Sequence, residues 1–176
     1  LVYLDDNLLS PNNIDFNTNE WVYGEGIPDN CVQINSDKFE KVDAKCALIT
    51  EVETAKELEI PADWTTHEWL HFIRSLPDSL SSEQFSELDA MFAFTNSENS
   101  EIQCAWYLRS LESRYEAAYP AIEKFLITVG RRKFLSPLYK KMMEHEDLQQ
   151  MARDIYAQAR NNYHPISAQS IDEIVK

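Results

Sequence analysis

Gly130-Arg131-Arg132-Lys133-Phe134-Leu135-Ser136-Pro137-Leu138 lies between two apolar stripes of helical period, and its reading decides the fold. Ile122, Phe125, Leu126 and Val129 precede it at three- and four-residue intervals, and Gly130 stands where such a helix needs a left-handed stop. The chain has only three glycines, the others being Gly24 and Gly26, so Gly130 is the lone glycine of everything beyond them. Ser136-Pro137 predicts a cap and a first-turn proline for the next helix, which carries Leu138 and Met142. Between stop and cap lie three consecutive cations in a chain whose net charge is -14. Positive charge is scarce here, and it gathers at one helix junction.

Reading outward toward the N-terminus, Pro120 opens the helix that reaches Gly130, and a longer helix with Ile102, Ala105, Trp106, Arg109 and Leu111 stops or kinks before it. Asn96 to Ser100 reads as a polar turn. Ser81 with Gln84 forms a capping box ahead of Phe85, Leu88 and Phe92; Thr65 with Glu68 forms another ahead of Trp69, Phe72, Ile73 and Leu76, which Pro77 terminates. Ser36 predicts the cap of a first helix bearing Phe39, Val42, Cys46, Ile49 and Val52, and Pro61 closes the connection after it. Toward the C-terminus, Leu148, Met151, Ile155 and Ala159 mark a helix closed by His164-Pro165, and a short helix from Ser167 to Val175 ends the chain. Nothing in this part alternates with period two for long enough to make a sheet. The expected fold is therefore all-α: about seven or eight short helices in an irregular two-layer antiparallel array, an armadillo- or HEAT-like superhelix. Residues 36–176 form this helical domain. Residues 1–35, rich in Asn and Asp and holding Pro11, Gly24, Gly26 and Pro28, read as an extended linker, with Trp21, Val22, Tyr23 and Ile27 expected to dock on a neighbouring surface.

At 176 residues, 44% of them hydrophobic, the chain can bury a full core. Thirty acidic against sixteen basic residues argue against a nucleic-acid surface, which needs a basic face. No apolar run approaches the roughly 20 residues of a membrane span, and no signal-peptide pattern opens the chain. A soluble protein of the cytoplasm or periplasm is expected. The first residue is Leu1 rather than Met, so an upstream part is expected to precede it. Cys31, Cys46 and Cys104 have wide, unpatterned spacing and read as reduced thiols rather than a disulfide framework or zinc site.

His67-Glu68-Trp69-Leu70-His71 matches H-E-x-x-H, the zinc-peptidase pattern in which two imidazoles one turn apart hold the metal and the Glu activates water. Three physical arguments reject it as a metal site. A catalytic zinc needs a third protein ligand, and the position where the aminopeptidase form of the motif expects its Glu is Ala90. On a helical wheel Trp69, Phe72, Ile73 and Leu76 form one stripe, whereas His67, His71 and Arg74 project from the other side toward water or a polar rim. Glu68 is already engaged as the third residue of the capping box begun by Thr65.

Several short stretches together resemble the C-terminal part of zinc aminopeptidases of the leukotriene A4 hydrolase and aminopeptidase B family. These are Trp21-Val22-Tyr23-Gly24-Glu25-Gly26-Ile27-Pro28, Asn99-Ser100-Glu101-Ile102 with Trp106, Gly130-Arg131-Arg132-Lys133-Phe134 with Pro137-Leu138, and His164-Pro165 with Ala168. The resemblance implies an all-helical accessory domain that closes one side of a substrate channel. It implies a bacterial-type, cold-active parent enzyme whose upstream catalytic domain, outside this chain, holds the true H-E-x-x-H and the zinc, so that the chain itself carries no cofactor and no catalytic residue. It further implies that Arg131 and Lys133 bind the carboxylate of a peptide substrate. The expected partners are the upstream catalytic domain of the same polypeptide and the peptide, with neither nucleic acid nor membrane. A guanidinium fork with a second cation nearby suits that task. The residues alone also allow Arg131 and Lys133 to complement the C-terminal end of the preceding helix or to pair with surface carboxylates. They equally allow a free-standing helical scaffold that binds a protein partner. Arg132 falls between the two cations where an apolar residue is expected, and Lys140 and Lys141 read as a solvated face.

Overall fold

A computed structural model describes residues 1–31, 36–52, 54–61 and 63–176, and every regular element among them is helical. The chain divides into two compact units, Leu1–Ser36 and Asp37–Lys176. The expected junction between residues 35 and 36 begins at a position outside the described residues.

The first unit is more regular than its Asn- and Asp-rich composition predicts. Helix α1 (Val2–Leu4) runs on through a π-type turn, Asp5–Leu9, and a 3-10 turn, Ser10–Asn12, and ends at Asn13 in the left-handed region. Side-chain amides sustain this run, with Asn7 donating to the Tyr3 carbonyl and Asn12 to that of Leu8. Asn17 caps α2 (Thr18–Tyr23) by accepting from the Glu20 N–H at 3.3 Å. Gly24 is required after it, because a Cβ there would stand 2.4 Å from the Glu20 carbonyl oxygen. Gly26, at φ +81, takes a conformation that side chains rarely adopt. Val22, Tyr23 and Ile27 are exposed, and Trp21 stacks on Phe16 with its indole N–H on Asn30.

Among the described residues of the second unit there are eight longer helices: α3 (Lys38–Leu48), α4 (Thr66–Ser75), α5 (Ser82–Phe92), α6 (Ser100–Ser113), α7 (Tyr119–Thr128), α8 (Arg132–Met143), α9 (Glu146–Ala159) and α10 (Pro165–Ile174). The local signals for several starts hold. Thr65 and Ser81 form complete capping boxes with Glu68 and Gln84, and Pro120 lies in the first turn of α7; Asn99, read only as part of a polar turn, proves to cap α6 by accepting from the Glu101 N–H. α4 stops at Ser75, just ahead of Pro77. Each helix then hides one stripe: Val42 and Cys46 on α3; Leu70, Phe72 and Ile73 on α4; Trp106, Tyr107 and Leu111 on α6; Ile122 and Leu126 on α7. Helices α4, α6, α8 and α10 pack in succession, α3 packs on α4, and α7 and α8 both pack on α9. No described helix is long and apolar enough to cross a membrane.

Several expectations are corrected. The N-cap position of α3 is Asp37 rather than Ser36, and Phe39 is exposed instead of lying in the core stripe. His164-Pro165 does not close α9, which ends at Ala159 before a 3-10 turn; His164 caps α10, its Nδ1 accepting from the Ile166 N–H. The largest change falls on the opening stretch. Val129 leaves α7 in an extended conformation, and Gly130 is not left-handed. Helix α8 begins at Arg132, so Ser136 and Pro137 are its fifth and sixth residues, not its cap and first turn. Pro137 has no N–H to give to the Lys133 carbonyl. The helix persists because Phe134, Leu135, Leu138, Tyr139 and Met142 are all buried beneath it, and tertiary packing outweighs one lost bond.

Candidate functional site

Helix α4 carries the H-E-x-x-H residues, and each has a structural occupation or none at all. Glu68 is buried, its carboxylate accepting from the Thr65 hydroxyl and backbone N–H, with Lys38 at 3.7 Å. Those hydrogen bonds from Thr65, and then Lys38, hold its acidity stronger than usual. His67 is exposed. Of the two settings expected for His71, water or a polar rim, the structure gives the second, with the ring partly covered. His71 stacks on Phe39 with ring centroids 4.5 Å apart and places Nε2 2.7 Å from an Asp43 carboxylate oxygen, both residues belonging to α3. Among the described residues no three His, Cys, Asp or Glu side chains stand together in a way that could hold a metal ion.

The cations at the start of α8 are held differently. Arg131 occupies the N-cap position, extended at φ -79 and ψ 115, and its carbonyl accepts from the N–H groups of Phe134 and Leu135. Lys133 is the second helical residue. Both side chains are exposed and lie near one ring: the Arg131 guanidinium is 5.5 Å, and the Lys133 ammonium 5.7 Å, from the centroid of buried Phe134. Lys133 also pairs with Glu101 of α6 at 2.6 Å. Arg131 forms no ion pair among the described residues. With Arg132 between them, three cations crowd the positive end of the helix dipole, and no acidic side chain lies in that first turn. This is an electrostatically unfavourable arrangement that an anion relieves, since free helix N–H groups, dipole and cations then act in one direction.

Arg132 turns away from this ring. It lines a groove between α8 and α10 with Ser136, Lys140, Ser170 and Glu173, and Lys133 lies at the border of that groove and of a second one over Phe134. Lys140 is exposed, whereas Lys141, read as solvated, bridges Glu112 and Glu144.

The loop bearing Arg131 is held from behind by residues that sequence reasoning passes over. The Tyr163 hydroxyl donates to the Leu126 carbonyl, one of those left free at the end of α7, and lies 3.0 Å from the Tyr139 hydroxyl. Ser167 donates to the Gly130 carbonyl at 3.2 Å. The only signal for this pair is its closeness in sequence to His164-Pro165. Burial drives the phenols of both tyrosines upward, for Tyr139 with the Tyr163 hydrogen bond as the next cause, so both stay protonated and serve as fixed hydrogen-bonding groups.

Comparisons with known proteins bear on this arrangement. The family described as leukotriene A4 hydrolase, C-terminal, matches residues 64–175. Leucine aminopeptidase 2 of Neurospora crassa is 29% identical over 115 residues, which cover 64% of this chain and 17% of that protein. Leucine aminopeptidase 2 of Pyricularia oryzae is 30% identical over 106 residues, covering 58% of this chain and 17% of that protein. The chain thus matches less than a fifth of the length of these relatives. Among solved structures, native yeast LTA4 hydrolase superposes on 99% of this chain and 31% of its own, with a TM-score of 0.72 at 16% identity, and the same enzyme in complex with bestatin gives a TM-score of 0.68.

Proposed function

Because the chain belongs to the leukotriene A4 hydrolase C-terminal domain family, we propose that it is the accessory domain of a zinc aminopeptidase, closing one side of the substrate channel and gripping the free carboxylate of a peptide substrate. The observation that carries this reading is the state of Arg131: a guanidinium without a carboxylate partner among the described residues, at the positive end of α8 and 5.5 Å from the centroid of the Phe134 ring, to which Lys133 also comes within 5.7 Å. A substrate carboxylate set between the two cations completes the charge balance that the first turn of α8 lacks. Arg131 is the principal anchor, because Lys133 is already shared with Glu101.

The ligands of the zinc lie outside this chain, and the metal there supplies the activation of water. The contribution of Arg131 and Lys133 is orientation: with its far end fixed, a short peptide is held in register with the reacting bond. Tyr163 and Ser167 set the backbone from which Arg131 reaches.

The test uses the full-length enzyme and one tripeptide in two forms, free acid and C-terminal amide. Arg131→Ala is expected to lower kcat/KM on the free acid sharply and to leave the amide close to its wild-type rate. Equal losses on the two forms would show that Arg131 does not read the carboxylate.

A further inference from the structure

Helices α4, α6 and α8 enclose the second groove, of about 300 Å³, whose apolar wall is Cys104, Ala105, Leu108, Phe134 and Pro137. Its rim is charged but largely self-compensated. Glu101 is taken by Lys133 at 2.6 Å, and Arg109 by Asp78 at 2.9 Å and Glu112 at 2.7 Å. Arg74, also on the rim, is exposed and forms no ion pair among the described residues, which offsets the second carboxylate on Arg109 and leaves the mouth close to neutral. Cys104 adds no charge to the wall, because burial, followed by the nearby Glu101, pushes its thiol up to about 11.

The position of the groove is informative. Phe134, whose ring lies near both Arg131 and Lys133, is part of its wall, and Lys133 is part of its rim. A carboxylate lodged between the two cations therefore sits at the edge of the groove, and the Cα that bears it is one bond, about 1.5 Å, away. The apolar wall is thus within reach of a side chain on that Cα.

We propose that this groove receives the C-terminal side chain of the peptide held by Arg131 and Lys133, and that it selects an aromatic or large aliphatic side chain over a small one and rejects a cationic one. The inference rests on the carboxylate-anchoring reading and adds the substrate class to it. Burial against Leu108, Phe134 and Pro137 supplies the gain, and a lysine or arginine head at the same position would lose its hydration against that apolar wall with no free carboxylate facing it in compensation.

Three tripeptide free acids that differ only in the last residue, Phe, Ala or Lys, measure it in the full-length enzyme. The Phe-ended peptide is expected to exceed the Ala-ended one in kcat/KM by about tenfold or more, the scale on which an apolar pocket discriminates, with the Lys-ended peptide lowest. Leu108→Trp fills the groove from a partly exposed wall position and should bring the Phe-to-Ala ratio toward one. Leu108→Ala widens the groove and should keep the ratio above one, and thermal melting checks that both variants fold. Equal rates for the Phe- and Ala-ended peptides in the wild type, or a Leu108→Trp variant that slows both in equal proportion, would overturn the assignment. Arg131→Ala separates the two readings. If it abolishes the free-acid advantage while the Phe-to-Ala ratio is one, the groove assignment alone has failed; if free acid and amide respond alike, the anchor itself has failed.

Discussion

Helix α4 and the start of α8 make an instructive pair, because the louder motif is the quieter structure. In α4 the polar groups of His67-Glu68-Trp69-Leu70-His71 are spent on the fold: Glu68 closes a capping box, and His71 is clamped between Phe39 and Asp43. At the start of α8 no sequence pattern of comparable fame exists, yet Arg131 is left without a carboxylate partner among the described residues of a chain rich in them. A motif states which residue types occur. Whether their polar groups are already satisfied decides if anything is left for a ligand.

Within α4 the comparison predicts a sharp contrast between two faces. Phe72 is wholly buried and packs on Trp64 and Trp69, so Phe72→Ala should cost about 3–5 kcal/mol of stability in a denaturant titration. His67→Ala, on the exposed face, should change stability by less than about 0.5 kcal/mol. A large cost for His67→Ala would show that the motif matters in a way its geometry does not reveal.

At the other pole, Tyr163→Phe removes the hydroxyl that meets the Leu126 carbonyl and the buried Tyr139 hydroxyl. It should cost about 1–3 kcal/mol, since two buried polar groups lose a partner. Amide exchange should quicken around Val129 to Arg132, and unchanged exchange there would break the link between Tyr163 and the Arg131 loop.

The smallest effect concerns pH. The Arg160 guanidinium, and after it the Tyr156 hydroxyl, hold the Asp172 carboxyl down at about 2, from an ordinary 3.8. A carboxyl depressed in the folded state contributes its stabilisation in full above its unfolded pKa and loses it as pH falls toward the folded one. The melting temperature should therefore decline between about pH 4 and pH 2. The gap between wild type and Asp172→Asn should close over the same interval, and a gap independent of pH would contradict this account of α10.

Much of the helical layout is legible in sequence because it is written locally. Thr65 and Ser81 each cap within three residues, and Pro77 and Pro120 act on their own turns. The failures share a cause, which is that distant packing overrode a local preference. Pro137 reads as a helix opener, yet the five buried side chains of α8 carry the helix through it, and Gly130 had no need to be left-handed once Val129 went extended. His71 meets Asp43 across 28 positions, and Tyr163 reaches Leu126 across 37, distances at which no periodicity speaks. As for the candidate site, the two cations could be named from Gly130-Arg131-Arg132-Lys133-Phe134. Their unequal freedom could not, because Glu101, which takes up Lys133, lies on another helix.

That inequality gives the most direct measurement: a double-mutant cycle in the full-length enzyme, pairing Arg131→Ala, and separately Lys133→Ala, with amidation of the substrate's C-terminus. Coupling of about 1.5–7 kcal/mol is predicted for Arg131, the range that double-mutant cycles give for close charge pairs, with a smaller value for Lys133 because Glu101 already shares its charge. Coupling near zero for Arg131 would contradict the account.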